Sequence, residues 1–141
     1  MQLSAAEADV LASDARAFAA ALPDTVARER YVRLAASASE GAVADEFVPA
    51  LETMLELLFE RGKPSNPAVL QSVYAKTPRG RALNSAARDV NRALQVLRGQ
   101  VLQEVRVSAA PSRHTLVLET DRARVTLELD RAGARVASLE T

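Results

Sequence analysis

The sequence predicts an α+β fold: an N-terminal bundle of four to five helices followed by a four-stranded antiparallel β-meander packed on the helices. Two observations lead to this prediction. Apolar residues recur with the 3.6-residue period of amphipathic helices up to about residue 103, and from residue 104 the period becomes two, as in half-buried strands. A length of 141 residues fits a single domain, with 1–103 as its helical part and 104–141 as its meander.

Three helices are predicted in the first 61 residues. Helix 1 covers residues 4–22, where Ser4 and Glu7 have the spacing of a capping box. Helix 2 covers residues 24–41 and helix 3 covers residues 45–61, each with a continuous apolar stripe. These stripes indicate that the three helices share one core.

Two further helices each begin with a capping residue followed by proline. Asn66 and Pro67 open a short helix, and Thr77 and Pro78 open a longer one. The apolar spacing of the longer helix continues to about residue 103 and includes Val101. It is the most regular amphipathic pattern in the chain.

Four strands are predicted from alternating apolar and polar residues, at 104–109, 113–120, 122–130 and 134–140. Thr120 and Asp121 suit a tight turn, and Gly133 suits the left-handed position of the turn that follows Asp130. One face of this meander is apolar, so it must pack on the helices or on a second copy of the chain.

The chain contains few residues of the types that catalytic sites use most often. The chain has no cysteine and one histidine, which excludes thiolate nucleophiles, zinc ribbons and iron–sulfur ligation. Neither a Walker pattern nor a glycine-rich dinucleotide fingerprint occurs. We therefore predict no catalytic residue, no metal and no cofactor. His114 fits a surface or edge residue, and Glu7 and Asp14 fit acids at the edge of the helix 1 stripe that pair with an arginine. An enzyme would need a pocket in which carboxylates, Tyr31 or Tyr74 converge.

The charge is zero overall but unevenly distributed along the chain. Residues 1–60 hold eleven acids against four arginines, and residues 61–113 hold ten basic residues against two acids. Such asymmetry can attract an anionic partner, or it can be neutralised within the fold or across a dimer. No segment has the length of a membrane span and the N-terminus lacks a basic signal-peptide region, so we expect a cytoplasmic protein with no membrane partner.

The stretch TPRGR, at the start of the longest predicted helix, is a candidate anion site. Thr77 and Pro78 are explained by capping, with Thr77 accepting from the backbone N–H of Arg79 or Gly80. Glycine lets a ligand approach the free N–H groups at the positive end of a helix dipole. The residues of this candidate site are Lys76, Thr77, Arg79, Gly80 and Arg81.

Two charged stripes of opposite sign are candidate interfaces. One runs along helix 3 and the other along the outward face of helix 5, and both are expected to point outward. Their residues are Glu52, Glu56 and Glu60 on helix 3 and Arg81, Arg88 and Arg92 on helix 5. The plain alternative is two solvated faces, since exposed ion pairs contribute only about 0–1 kcal/mol each.

These observations favour a non-enzymatic interaction or assembly module that self-associates, as a dimer, or binds a protein partner. The alternative is nucleic-acid or phosphate-ligand binding through the basic helix start from Thr77 to Arg92. There the order of elements is that of the latter part of a winged helix, although the helix is long for a recognition helix and the sequence pI is only about 6.6.

Overall fold

The computed structural model describes all residues from Met1 to Thr141 and has the α+β fold that the sequence predicts, with the helices first and the sheet last. The helices are α1 (Ala5–Ala21), α2 (Thr25–Ser39), α3 (Val48–Arg61), α4 (Pro67–Lys76) and α5 (Pro78–Leu94); the strands are β1 (Glu104–Ala110), β2 (Arg113–Glu119), β3 (Arg124–Asp130) and β4 (Gly133–Glu140). Short 3₁₀ turns, Asp45–Phe47 and Gln95–Leu97, precede α3 and follow α5. None of the helices is both long enough and apolar enough to cross a membrane.

The chain divides into two compact units, Met1–Gly80 and Arg81–Thr141. The division falls inside α5, three residues after the helix begins. The change of periodicity in the sequence lies later, at residue 104. Most of α5 is thus grouped with the sheet rather than with the other helices.

In the first unit α1, α2 and α4 begin within one residue of the predicted positions, whereas α3 begins at Val48, after a 3₁₀ turn over the first three residues of the predicted helix. Ser4 and Glu7 form a reciprocal capping box at α1. The Asp24 carboxylate accepts from the backbone N–H of Ala27 at 2.8 Å at the start of α2, and Asn66 caps α4 in the same way. Each cap satisfies a backbone donor that the first turn of a helix leaves free.

The core of the first unit lies among α1, α2, α3 and α4. Its members have little solvent exposure, and all but Tyr31 are alanine, valine, leucine or methionine, as expected for a chain with few aromatic residues. The largest fully buried side chains of this core are Leu11, Leu34, Leu51, Met54, Leu55, Leu70, Val43 and Val73. This core confirms the apolar stripes assigned from the sequence.

In the second unit the four strands form an antiparallel sheet in the order β1-β2-β3-β4. Apolar residues line up across it, and one row runs from Val107 through Leu116 and Leu127 to Val136. The C-terminal half of α5 packs on this face, through a core that includes Val90, Ala93, Val125 and Leu127. The helix covers the strands from β2 to β4.

The prediction that the fifth helix continues to about residue 103 is wrong. The α-helix ends at Leu94, a 3₁₀ turn follows, and Gly99 takes a positive φ of 76° that reverses the chain toward β1. Val101, which the periodicity assigned to the buried stripe, is 80% exposed.

Candidate interaction surface

The junction between α4 and α5 explains the TPRGR stretch. The Thr77 hydroxyl is buried, accepts from the backbone N–H of Gly80 at 3.1 Å and donates to the Tyr74 carbonyl at 2.7 Å. A Cβ atom on Gly80 would lie 1.8 Å from that same carbonyl oxygen. Glycine is therefore required here because two backbone segments approach closely.

Two acids of α3 neutralise the start of α5. The Glu52 carboxylate, only 4% exposed, accepts from the backbone N–H of Arg79 at 2.9 Å. The Arg79 side chain lies 3.3 Å from Glu52 and 3.0 Å from Glu56. A carboxylate of the chain itself thus takes the position at the helix dipole where an external anion would bind.

Tyr74 joins the same cluster. Its hydroxyl donates to Glu56 at 2.8 Å. Burial, together with the hydrogen bond and the negative charge of Glu56, raises the pKa of Tyr74 to about 12. The hydrogen bond from Arg79 to Glu56 in turn raises the pKa of that guanidinium. The Tyr74 hydroxyl is therefore protonated at neutral pH and acts as the donor in this hydrogen bond.

Lys76 makes a second ion pair, with Glu7 of α1. Its Nζ lies 2.6 Å from the Glu7 carboxylate, which also accepts from Ser72 at 2.9 Å and from the Ser4 backbone. These contacts, chiefly the hydrogen bond from Lys76, lower the pKa of Glu7 to about 2. The pairing expected for Glu7 is present, although with a lysine rather than an arginine.

The five residues of the predicted anion site therefore meet different surroundings. Lys76, Thr77, Arg79 and Gly80 are all hydrogen-bonded within the first unit, to acids, to a backbone carbonyl or to the Thr77 hydroxyl. Arg81 is exposed and belongs to the second unit. For Arg79, the sequence signal of its partners is the spacing of Glu52 and Glu56 on helix 3, which by itself does not show that these acids face the start of α5.

The two charged stripes also differ from the sequence prediction. Glu52 is buried rather than outward-facing, because it accepts from the start of α5; Glu56 is partly exposed and Glu60 is exposed. On α5 the three arginines of the stripe are exposed, and Arg92 lies 3.6 Å from Asp89 on the same helix. The glutamate stripe is thus largely used inside the first unit.

Carboxylates converge on one of the two tyrosines, because the Tyr74 hydroxyl donates to Glu56 beside Glu52 and Arg79. No group of three or more His, Cys, Asp or Glu side chains is arranged to hold a metal ion. A cleft of about 380 Å³ on the first unit is lined by apolar residues and by four charged ones, three on α2 and Glu46 in the 3₁₀ turn before α3. Neither tyrosine lines this cleft. Tyr31 instead packs edge-on against Phe18 with ring centroids 4.7 Å apart.

The outer strand β1 is the least covered element of the sheet. All seven of its residues are exposed. Val105 and Val107 point to the same face as Leu118 and Leu116, their partners on β2, yet they are 58% and 62% exposed because α5 covers only β2 to β4. We call the apolar side of this strand, formed by Val105, Val107 and Ala109, the β1 surface.

The opposite edge of the sheet is better protected. The pairing of β4 with β3 is irregular, with a register shift between Thr126 and Leu127. Arg135 on β4 forms close ion pairs with Glu128 and Asp130 of β3. Bulges and charged side chains are common means of preventing an edge strand from pairing. On β1 the only charged residues, Glu104 and Arg106, lie 3.2 Å apart and on the other side of the strand.

No protein-family model, curated protein or solved structure matches this chain. No buried side-chain nitrogen or oxygen lacks a hydrogen-bond partner, so no unsatisfied polar group marks a ligand site. The β1 surface combines exposed valines with an unpaired strand edge.

Proposed function

We propose that this protein is a non-enzymatic assembly module that self-associates through the edge and the apolar side of β1. The observation that supports the proposal most is that all seven residues of an edge strand are exposed, among them Val105 and Val107. An edge strand of this kind presents a row of unpaired N–H and C=O groups beside apolar side chains.

The β1 surface supports self-association better than the charged stripes do. Glu52 and Glu56 are held by Arg79 within one chain, so separating them to contact a partner would break existing ion pairs. Pairing at β1 breaks no contact and removes apolar surface from water.

The size of the β1 surface sets the expected strength of self-association. One strand and two valines from each copy make an interface at the small end of the specific range. Such contacts are weak or transient, with dissociation constants on the order of micromolar. The dimer is therefore expected to exchange with monomer at accessible protein concentrations.

The alternative function, nucleic-acid or phosphate binding through the region from Thr77 to Arg92, has less support. The N–H groups of Arg79 and Gly80 that an anion would use already donate to Glu52 and Thr77. A salt-sensitive affinity for duplex DNA or inorganic polyphosphate at low ionic strength, lost in Arg79→Ala and Arg81→Ala together, would favour this alternative.

The proposal is tested by placing a charge on the β1 surface. Val107→Asp puts a carboxylate at the centre of the exposed strand and should shift the protein to monomer at all concentrations. Val26→Asp is the matched control, since Val26 is 70% exposed on the first turn of α2, where an acid is favourable. The measurement is light scattering coupled to size exclusion. Equal masses for Val107→Asp and the unmodified protein at high micromolar concentration would contradict the proposal.

A further inference from the structure

We infer that two copies pair through β1 in one antiparallel register, with a two-fold axis at Val107, so that the two four-stranded sheets become one sheet of eight strands. This inference rests on the proposed function and adds the geometry of the partner. Three observations on β1 and β4 support it: the length of the strand, the order of its side chains and the condition of the opposite edge.

The length of β1 selects its central residue. The strand runs from Glu104 to Ala110, so Val107 is its midpoint. When Val107 faces its own copy, all seven residues of one strand lie opposite all seven of the other. A two-fold axis at any other residue leaves part of each strand without a partner, and each lost backbone pair weakens the contact.

The side chains of β1 are complementary in this register. On the apolar side, Val107 faces Val107 and each Val105 faces the small Ala109 of the other copy, so large and small residues alternate across the seam. On the polar side, Arg106 faces Ser108 and Glu104 faces Ala110, and no like charges are directly opposed.

The neighbouring registers are less favourable. An axis at Arg106 places two guanidinium groups directly opposite each other, which is repulsive. An axis at Val105 places Glu104 opposite Arg106 twice, which is attractive, but only three strand residues of each copy are then paired. Since Glu104 already lies 3.2 Å from Arg106 in its own chain, that register exchanges one ion pair for another.

The protected edge of β4 favours a closed dimer over an open array of copies. Pairing of β1 with the β4 edge of another copy would be heterologous and would continue from copy to copy. The register shift beside β4 and the ion-paired Arg135 oppose that contact. Two β1 strands meeting each other close the assembly at two copies.

Single cysteines test the register, since the natural chain has none. Directly opposed residues have Cα atoms about 4.5–5.5 Å apart, within the range of a disulfide, whereas diagonal neighbours lie at about 7–8 Å. We would oxidise Val105→Cys, Val107→Cys and Ala109→Cys separately, and then Val105→Cys mixed with Ala109→Cys. All three positions are exposed, so the variants should fold, which circular dichroism would check.

The inferred register predicts that Val107→Cys forms a disulfide dimer about tenfold faster than Val105→Cys or Ala109→Cys alone, because only its thiols are opposed. The mixture should cross-link as fast as Val107→Cys. Rapid cross-linking of Val105→Cys alone would indicate the axis at Val105 and overturn the inference. If the protein has the mass of a dimer but none of the cysteine variants cross-links rapidly, the register is wrong while self-association still holds. If the unmodified protein is a monomer, the proposed function itself is wrong.

Discussion

Replacing Gly80 by alanine should destabilise the protein, although alanine is the better helix former. In a helix, alanine is favoured over glycine by up to about 1 kcal/mol, so a glycine with free space around it would gain stability from the change. Here the new Cβ would lie 1.8 Å from the Tyr74 carbonyl oxygen, 2.6 Å from its carbon and 3.0 Å from the Ala75 Cα. All three atoms are backbone and cannot rotate away.

The loss of stability in Gly80→Ala follows from the atoms that must move to accommodate the new Cβ. To reach van der Waals distance, the start of α5 has to shift by more than about 1 Å, a displacement of the kind that costs about 1–3 kcal/mol in packed regions. That shift also weakens the Gly80 N–H bond to Thr77 and the Arg79 N–H bond to Glu52. Losing a cap costs about 1 kcal/mol, and bonds to charged groups are stronger. We expect a net loss of about 3 kcal/mol, or about 10 °C in melting temperature for a chain of this length.

The assay is urea unfolding followed by circular dichroism, with the free energy of unfolding compared between variants. Ser85 supplies the matched control, because it is exposed in the same helix and the pair Ser85→Gly and Ser85→Ala measures the intrinsic preference for alanine. Alanine should be favoured at position 85 and disfavoured at position 80. If Gly80→Ala were neutral or stabilising, the close approach would not be the reason for this glycine, and a ligand-binding reason would regain weight.

Three further predictions concern the ion pairs and the exposed strand. The pKa of Glu7 is lowered from 4.5 to about 2, so this group stabilises the fold above pH 4.5 and loses that effect as pH falls toward 2. Glu7→Gln should therefore reduce the free energy of unfolding by up to about 3 kcal/mol at pH 7 and by progressively less at lower pH. Urea unfolding at several pH values would measure this. Glu56→Gln should lower the pKa of Tyr74 from about 12 while burial still holds it above its usual value of 10, which an ultraviolet titration of the two tyrosines would show. Amide hydrogen exchange in β1 should slow as protein concentration rises while exchange in β4 stays constant, since only β1 is predicted to pair; equal behaviour of the two edge strands would argue against the β1 surface.

The helix starts and the strands could be predicted because their signals are local. Ser4, Asp24, Asn66 and Thr77 each satisfy a backbone donor within three residues, so sequence spacing is enough to find them. Strand alternation is likewise local and gave the two faces of the meander correctly.

The end of α5 was missed because an apolar residue can continue a pattern without being buried. Val101 fits the helical period, but the chain has already turned at Gly99. The type of a residue alone does not show whether that residue lies before or after a turn.

The surroundings of Gly80 and Glu52 were missed because they depend on tertiary contacts. Their partners, Tyr74 and Arg79, are brought close by the packing of α3, α4 and the start of α5. A glycine beside arginines looks the same in sequence whether it admits a ligand or a neighbouring backbone.

The β1 surface could not be predicted for a related reason. Val105 and Val107 alternate with polar residues just as Leu116 does, yet Leu116 packs against the core under α5 while both valines are exposed. Periodicity shows which face of a strand is apolar, and only the tertiary structure shows which strand is left at the edge.

The mass of the unmodified protein in solution tests self-association most directly. Sedimentation equilibrium from low to high micromolar concentration, at low and at high salt, should show the mass rising from 15.1 kDa toward about twice that value, with little dependence on salt because the β1 surface is apolar. A strict monomer at every concentration and both salts would contradict the central claim. A dimer that dissociates at high salt would instead locate the contact at the charged stripes.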